Sequence, residues 1–123
     1  MQVVWRLMKV SDTHGEVMYH IHVYFPLQQQ DKAQALNDII RQERQDVLRV
    51  FPLVCKLVGP HKMPMFELHV ESISDEFIAW LDTIRGGFSV LIHPVSDNEL
   101  RDHTERAIWL GRELGVFEEK LEA

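Results

Sequence analysis

The stretch Val17-Met-Tyr-His-Ile-His-Val-Tyr-Phe25, closed by Pro26, constrains this chain more than any other. Its β-branched and aromatic residues read as a strand. A strand turns successive side chains to opposite faces. Tyr19, Ile21, Val23 and Phe25 therefore share an oily face, while Met18, His20, His22 and Tyr24 share the other. Two imidazoles then sit side by side on a rigid support. Such a pair can offer two metal ligands, or one ligand and one acid/base. It can equally face solvent or a subunit partner. Either way, the oily face needs a sheet and a covering layer.

A second stretch repeats the pattern. In Met65 to Glu71, Phe66, Leu68 and Val70 face one side and Met65, Glu67 and His69 the other. Between the two strands, Asp31 can cap a helix running to about Phe51, with Leu36, Ile39, Ile40, Val47, Leu48 and Phe51 at helical spacing. Pro52 stops it. Leu53 to Val58 reads as a short apolar strand ended by Gly59-Pro60, and His61-Lys-Met-Pro64 as a loop. Ser74 or Ser72 caps a helix that buries Phe77, Ile78, Leu81 and Ile84 and ends at Gly86-Gly87. Phe88 to Ile92 is an apolar strand with His93-Pro94 at its exit, where Pro94 ends the pairing. Ser96-Asp-Asn-Glu99 has capping-box spacing and opens a last helix to about Leu114. Leu100, His103, Ala107, Leu110 and Leu114 form its inner stripe, so His103 faces the body of the protein. Glu118 to Ala123 reads as a frayed tail. Upstream, Val3 to Val10 is an imperfect strand, and Asp12-Thr-His-Gly15 a turn with His14 exposed.

From residue 17 the order is strand, helix, strand, strand, helix, strand and an extra helix. This βαββαβ run points to an α+β ferredoxin-like fold: an antiparallel sheet with its helices on one face, plus a C-terminal helix. Residues 1–123 make one domain. If the apolar strand faces turn to the helices, His20, His22, Glu67 and His69 meet on the other face, with His93 at a neighbouring strand tip. Two imidazoles and a carboxylate with open positions suit non-haem Fe(II) oxygenases. Zn²⁺ accepts similar ligands. Plainer roles exist for each residue. His103 can be a hydrogen-bonded core histidine, and His69 a strand-edge residue. Glu67 can pair with Lys56 or Lys62. Tyr24 can pack on a subunit partner, and Trp5, Trp80 and Trp109 can serve core or interface.

Composition narrows the classes. The single Cys55 excludes an internal disulfide and points to a reducing cytoplasm. Its apolar setting reads as a small core residue rather than a nucleophile. Thirteen Lys and Arg against nineteen Asp and Glu give a net charge of −6, without a basic patch for a nucleic-acid partner. No apolar run has the length of a membrane span, and the N-terminal sequence lacks signal-peptide character. The unusual count is seven histidines.

Tyr19-His-Ile-His-Val-Tyr-Phe25, Gly59-Pro-His61, Met65-Phe-Glu67, Leu91-Ile-His-Pro94, Asp102-His-Thr104 and Trp109-Leu-Gly111 occur in this order. As a set they resemble the DOPA 4,5-dioxygenase family of small ring-cleaving enzymes, over roughly residues 17 to 115. The resemblance implies a ferredoxin-like fold, usually dimeric, and extradiol cleavage of a catechol with Fe(II) and O₂. It carries function onto His20, His22, His61, His93 and His103, and onto Glu67. Val95 stands where some members have a second histidine after the His-Pro pair, and the first sixteen residues lie outside the match. The resulting expectation is a cytoplasmic homodimer acting on a catechol-type substrate and O₂, with no nucleic-acid or membrane partner. His22 and His93, with His20 or Glu67, would hold Fe(II), Zn²⁺ being the other occupant of a purified protein. His61 or His103 would act as acid/base, and Tyr24 would orient the ring. Two alternatives stay open: a non-catalytic dimeric ferredoxin-like module that binds a small ligand, and a zinc-dependent hydrolytic enzyme.

Overall fold

The computed structural model describes residues 18–123. The strand expected at Val3 to Val10, the Asp12–Gly15 turn, Trp5 and His14 lie outside the described residues. The oily-face strand forms as β1, Tyr19–Tyr24. Helix α1 spans Gln30–Glu43, β2 Val47–Val50, β3 Met65–Val70 and α2 Asp75–Ile84. Strand β4 spans Val90–Pro94, the short helix α3 Glu99–His103 and β5 Ile108–Leu110. The strands form one antiparallel sheet in the order β2-β3-β1-β4-β5. That is the ferredoxin-like arrangement with a fifth strand added beside β4.

The alternation read from the sequence sets the two faces. Tyr19, Ile21, Val23 and Phe25 of β1 join Phe66, Leu68 and Val70 of β3 and Val90 and Ile92 of β4 in the main core. The helices close it with Ala33, Leu36 and Ile40 from α1 and Phe77, Ile78 and Leu81 from α2. Ser74 caps α2, its hydroxyl accepting the Phe77 N–H at 3.0 Å, and Asp75 and Glu76 complement the dipole in the first turn. Gly86 ends α2 in a left-handed conformation at φ +62°. Arg44 ties the helices together. Its guanidinium bonds Asp46 and Glu76 at 2.8–3.0 Å and lies 4.8 Å from the ring centres of Phe77 and Trp80.

Several expectations need correction. The first helix stops at Glu43 rather than near Phe51, and Asp31 lies in its first turn instead of capping it. Val47, Leu48 and Phe51 do fit a helical spacing. However, β-branched Val47 and Val50 gain more by pairing with the free edge of β3. The strand expected at Leu53–Val58 reduces to one bridge between Val54 and Met65. Flanked by Pro52 and Gly59-Pro60, this run stays a loop, and Cys55 is exposed rather than in the core.

The last helix covers only Glu99–His103, and its N-cap is Asn98, whose side chain accepts the Arg101 N–H at 3.0 Å. Ile108 and Leu110 then alternate into the core as β5 and satisfy the outer edge of β4. Pairing also runs one bond past Pro94, since the Val95 N–H donates to Met18 O at 2.9 Å.

The segment expected to fray docks instead. Phe117 N–H donates to Pro60 O at 2.8 Å, and Leu100 N–H to Glu122 O at 2.9 Å. Val116 joins Tyr24, Met65 and Leu91 in a second apolar cluster on the sheet face away from the helices, with Leu121 against it. Part of that face is therefore covered by the chain itself. Among the described residues no helix is long and apolar enough to cross a membrane.

Leu68 is fully buried at the centre of the main core. Leu68→Ala should cost about 2–5 kcal/mol, seen as a lower urea midpoint with an unchanged slope. A cost under about 1 kcal/mol would show that the helical face is not closely packed.

Candidate metal centre

The strand register gathers the imidazoles. β1 lies between β3 and β4. His20 stands opposite His69 on one side and His93 on the other, and His22 stands opposite Glu67. All these side chains leave the sheet on the face away from the helices. His103 reaches the same place from the C-terminal end of α3, its ring 3.9 Å from that of His93. A buried carboxylate fixes this approach. Asp102, 2% exposed, accepts the Ser96 N–H at 2.7 Å, the Ser96 hydroxyl at 2.8 Å and Arg106 at 3.2 Å. His61 enters from the loop before β3. Its ring lies 4.1 Å from that of His22, and its Nδ1 is 2.8 Å from the Tyr24 hydroxyl.

Two donor groups result. His22, His93 and His103 each place one donor atom within 4.8 Å of the others. His20, Glu67 and His69 do the same. The four ligands expected from the sequence are thus divided: His22 and His93 fall in the first group, His20 and Glu67 in the second. His103, expected as an acid/base, joins the first group, and His61 with Tyr24 forms a pair beside it. The ion pairs of Glu67 among the described residues are with His20, His22 and His69, not with Lys56 or Lys62.

Tautomers are set by backbone carbonyls, which only accept. His93 Nδ1 donates to Pro94 O at 2.7 Å, and His103 Nδ1 to Glu99 O at 2.8 Å. Neutral imidazoles held this way present bare Nε2 lone pairs. His22 Nε2 lies 3.1 Å from His93 Nε2, while His22 Nδ1 is buried without a hydrogen-bond partner. Both tautomers of His22 leave a defect. With the proton on Nε2, Nδ1 is an orphaned buried acceptor. With the proton on Nδ1, that N–H can turn to Glu67 Oε1, 3.7 Å away, but two lone pairs then face each other across 3.1 Å. A cation held by the Nε2 atoms removes both defects. The two facing nitrogens are also close enough to serve as adjacent donors to one ion. The donor set fits a divalent transition metal.

Burial also favours the neutral form of His22, His93, His61 and His20. It places the His22 pKa well below the ordinary value, with His61 and His93 adding to the effect. His93 is pushed down to about 3 by burial and then by His103. His61 is pushed down to about 4 for the same two reasons. His20 is lowered by burial and His69. Burial raises the Tyr24 hydroxyl pKa, so the phenol keeps its proton.

A cleft of about 290 Å³ opens over the imidazoles, with Val95, Glu99, Lys120 and Leu121 in its walls. That size suits a single-ring ligand. Alternation along its strand is a signal that places His69 among the donors, although the expected ligand set leaves it out. Asp102 lacks such a signal, because its role depends on a loop folding back. Lys120 and Leu121 depend on the docking of a segment without periodicity.

An antiparallel ferredoxin-like sheet with a histidine-lined cleft on its open face defines the class. The model of the Dopa 4,5-dioxygenase family matches residues 19–119. The chain belongs to that family. It is 33% identical over 102 residues to the DOPA 4,5-dioxygenase of Amanita muscaria, covering 76% of this chain and 44% of that protein. It is 31% identical over 107 residues to an uncharacterized 21.2 kDa protein of Botryotinia fuckeliana, covering 78% of this chain and 58% of that one. The chain spans about half the length of these curated relatives. A crystal structure from Nostoc punctiforme, titled "a putative dioxygenase", matches with a TM-score of 0.78 and 28% identity, covering 88% of this chain and 93% of that one.

The lowered histidine pKa values have a signed consequence. The unfolded chain binds protons at these sites below about pH 6.5, where the native chain does not. The stability they contribute is complete above that pH and is lost progressively as pH falls toward 4 and 3. For chelator-treated protein, His61 alone should account for ~3 kcal/mol lost by pH 4, read from urea titrations at several pH values. A flat profile from pH 7 to 4 would contradict the neutral cluster.

Proposed function

We propose that this chain is a metal-dependent extradiol dioxygenase that opens a catechol-type ring with O₂. The observation that carries this reading is the facing pair of Nε2 atoms on His22 and His93, with His103 beside them and its tautomer set by a carbonyl. These three residues would hold Fe(II), with Zn²⁺ an occupant of the same donors in purified protein. Fe(II) bound there would bring the electron-rich ring and O₂ together and make the catechol hydroxyls more acidic. Both atoms of O₂ would end in the product as the C–C bond beside the diol is cleaved, so the reaction needs no external reductant. The product would be a yellow semialdehyde.

The side chains around the donors fill the remaining roles. His61, neutral at pH 7, lines the cleft and takes a substrate hydroxyl proton as general base. The Tyr24 hydroxyl can accept from His61 Nδ1–H as readily as donate to Nδ1. In the first arrangement His61 Nε2 is bare and can receive that proton. Trp109 stacks on the Tyr24 ring at 5.8 Å and keeps its hydroxyl aimed at His61. Tyr24 itself is buried in the second apolar cluster with Met65, Leu91 and Val116. A cytoplasmic homodimer belongs to the same proposal, with exposed Leu48 and Leu57 offering apolar surface for association.

Anaerobic loading with Fe(II), followed by a panel of catechols with O₂ uptake and absorbance recorded together, tests the reading. Iron-dependent O₂ consumption with a rising yellow product is the expected result. Stoichiometric iron without turnover of any catechol would remove the substrate class, and failure to bind iron would remove the enzyme. His93→Ala and His103→Ala should each lose the metal while keeping the native circular dichroism spectrum. Full metal retention in His103→Ala would overturn the donor assignment. His61→Gln should keep the metal and lower kcat by about 10²–10⁴-fold.

A further inference from the structure

The geometry points to a second divalent-cation site on the same sheet face, built from His20, Glu67 and His69. It rests on the assignment of the first ion to His22, His93 and His103, and shares no residue with that group. His20 and His69 are directly opposed across the β1–β3 ladder, and their rings stack at 3.8 Å with 7° between planes. As directly opposed residues both side chains leave the same sheet face as close neighbours, and turning either ring about its Cβ–Cγ bond lets the two in-plane lone pairs converge on one ion. Glu67 stands two residues before His69 on the same face. Its Oε2 is 2.5 Å from His69 Nε2 and 3.7 Å from His20 Nδ1. The Phe51 ring packs edge-on to His69 at 4.7 Å and backs the group on one side.

A hydrogen bond from His69 to Glu67 does not need the opposed His20, whose donor atom lies within 4.8 Å of those of Glu67 and His69. Three further features favour a cation. The donor set of two imidazoles and one carboxylate suits Zn²⁺, Ni²⁺ and Cu²⁺. The ion pairs of Glu67 among the described residues are all with imidazoles. The three side chains are 25%, 26% and 18% exposed, so an ion can enter and keep water in its remaining positions. The two sites also communicate. Glu67 Oε1 lies 3.7 Å from His22 Nδ1, so an ion on Oε2 would orient the carboxylate toward which a His22 Nδ1–H can turn.

Zn²⁺ titrated into chelator-treated full chain by calorimetry, with metal counted by elemental analysis, tests this. The intact chain should bind two equivalents with separable affinities. His69→Ala should keep the tighter one and weaken the other at least ~10-fold. His20→Gln provides a second variant with the strand pairing preserved, and should behave likewise. His93→Ala should show the converse, losing the tighter equivalent alone. A single equivalent on the intact chain, or two unchanged equivalents in both His69→Ala and His20→Gln, would overturn the second site. Loss of one equivalent in His69→Ala with none in His93→Ala would leave the second site standing and overturn the first.

Discussion

Strand β1 is paired on both edges, and the rest of the molecule depends on that. Its ladders to β3 and β4 fix one register, and the register decides which residues see the helices. A slip of one position would turn Ile21 and Val23 to the cleft and drive His20 and His22 into the core. Burial of each apolar side chain is worth about 1.5–3 kcal/mol, so the slipped arrangement is far out of reach. The hydrophobic core and the imidazole cluster are two results of one constraint. The helices hold the core, the core holds the register, and the register delivers the donors.

The cluster itself works against stability. His22 and His93 are almost fully buried, and each ring disfavours a proton on its neighbours. His22 meets an orphaned nitrogen in one tautomer and a lone-pair clash in the other. A buried group left unpaired costs about 1–3 kcal/mol. The fold tolerates this because the opposite sheet face is packed with apolar side chains that make no demands of this kind. Local conflict of this sort is where proteins place chemistry.

The sequence was most legible where period 2 applied. Alternation in Tyr19–Phe25 and Met65–Val70 assigned both faces, and with the βαββαβ order it brought His20, His22, Glu67 and His69 together. Periodicity misled where two patterns overlapped. Val47 and Phe51 fit a helix by spacing and a strand by β-branching, and the free edge of β3 decided between them. Ala107, Leu110 and Leu114 fit a helical stripe, yet the open edge of β4 drew Ile108–Leu110 into the sheet. Cys55 was misplaced because an apolar run does not pair without a free edge to meet. His61 lies in a loop, where no periodicity speaks, and only its place in an ordered set of motifs marked it. The Asp102 anchor and the Lys120–Leu121 wall arise from segments folding back on the sheet, and local sequence carries no record of that.

Donors and walls come from different kinds of structure. His22 and His93 are rooted in central strands whose other faces build the core, so they cannot move without disturbing it. The walls come from the segment Val95–Glu99 and from Lys120 and Leu121, held by Asp102 and by two backbone bonds. Inheritance can therefore act on them separately. A lineage could exchange residues such as Val95, and with them the shape of molecule admitted, while the strand-borne imidazoles and their spacing pass down unaltered. The walls are the variable part of this architecture, and the imidazole cluster its fixed one.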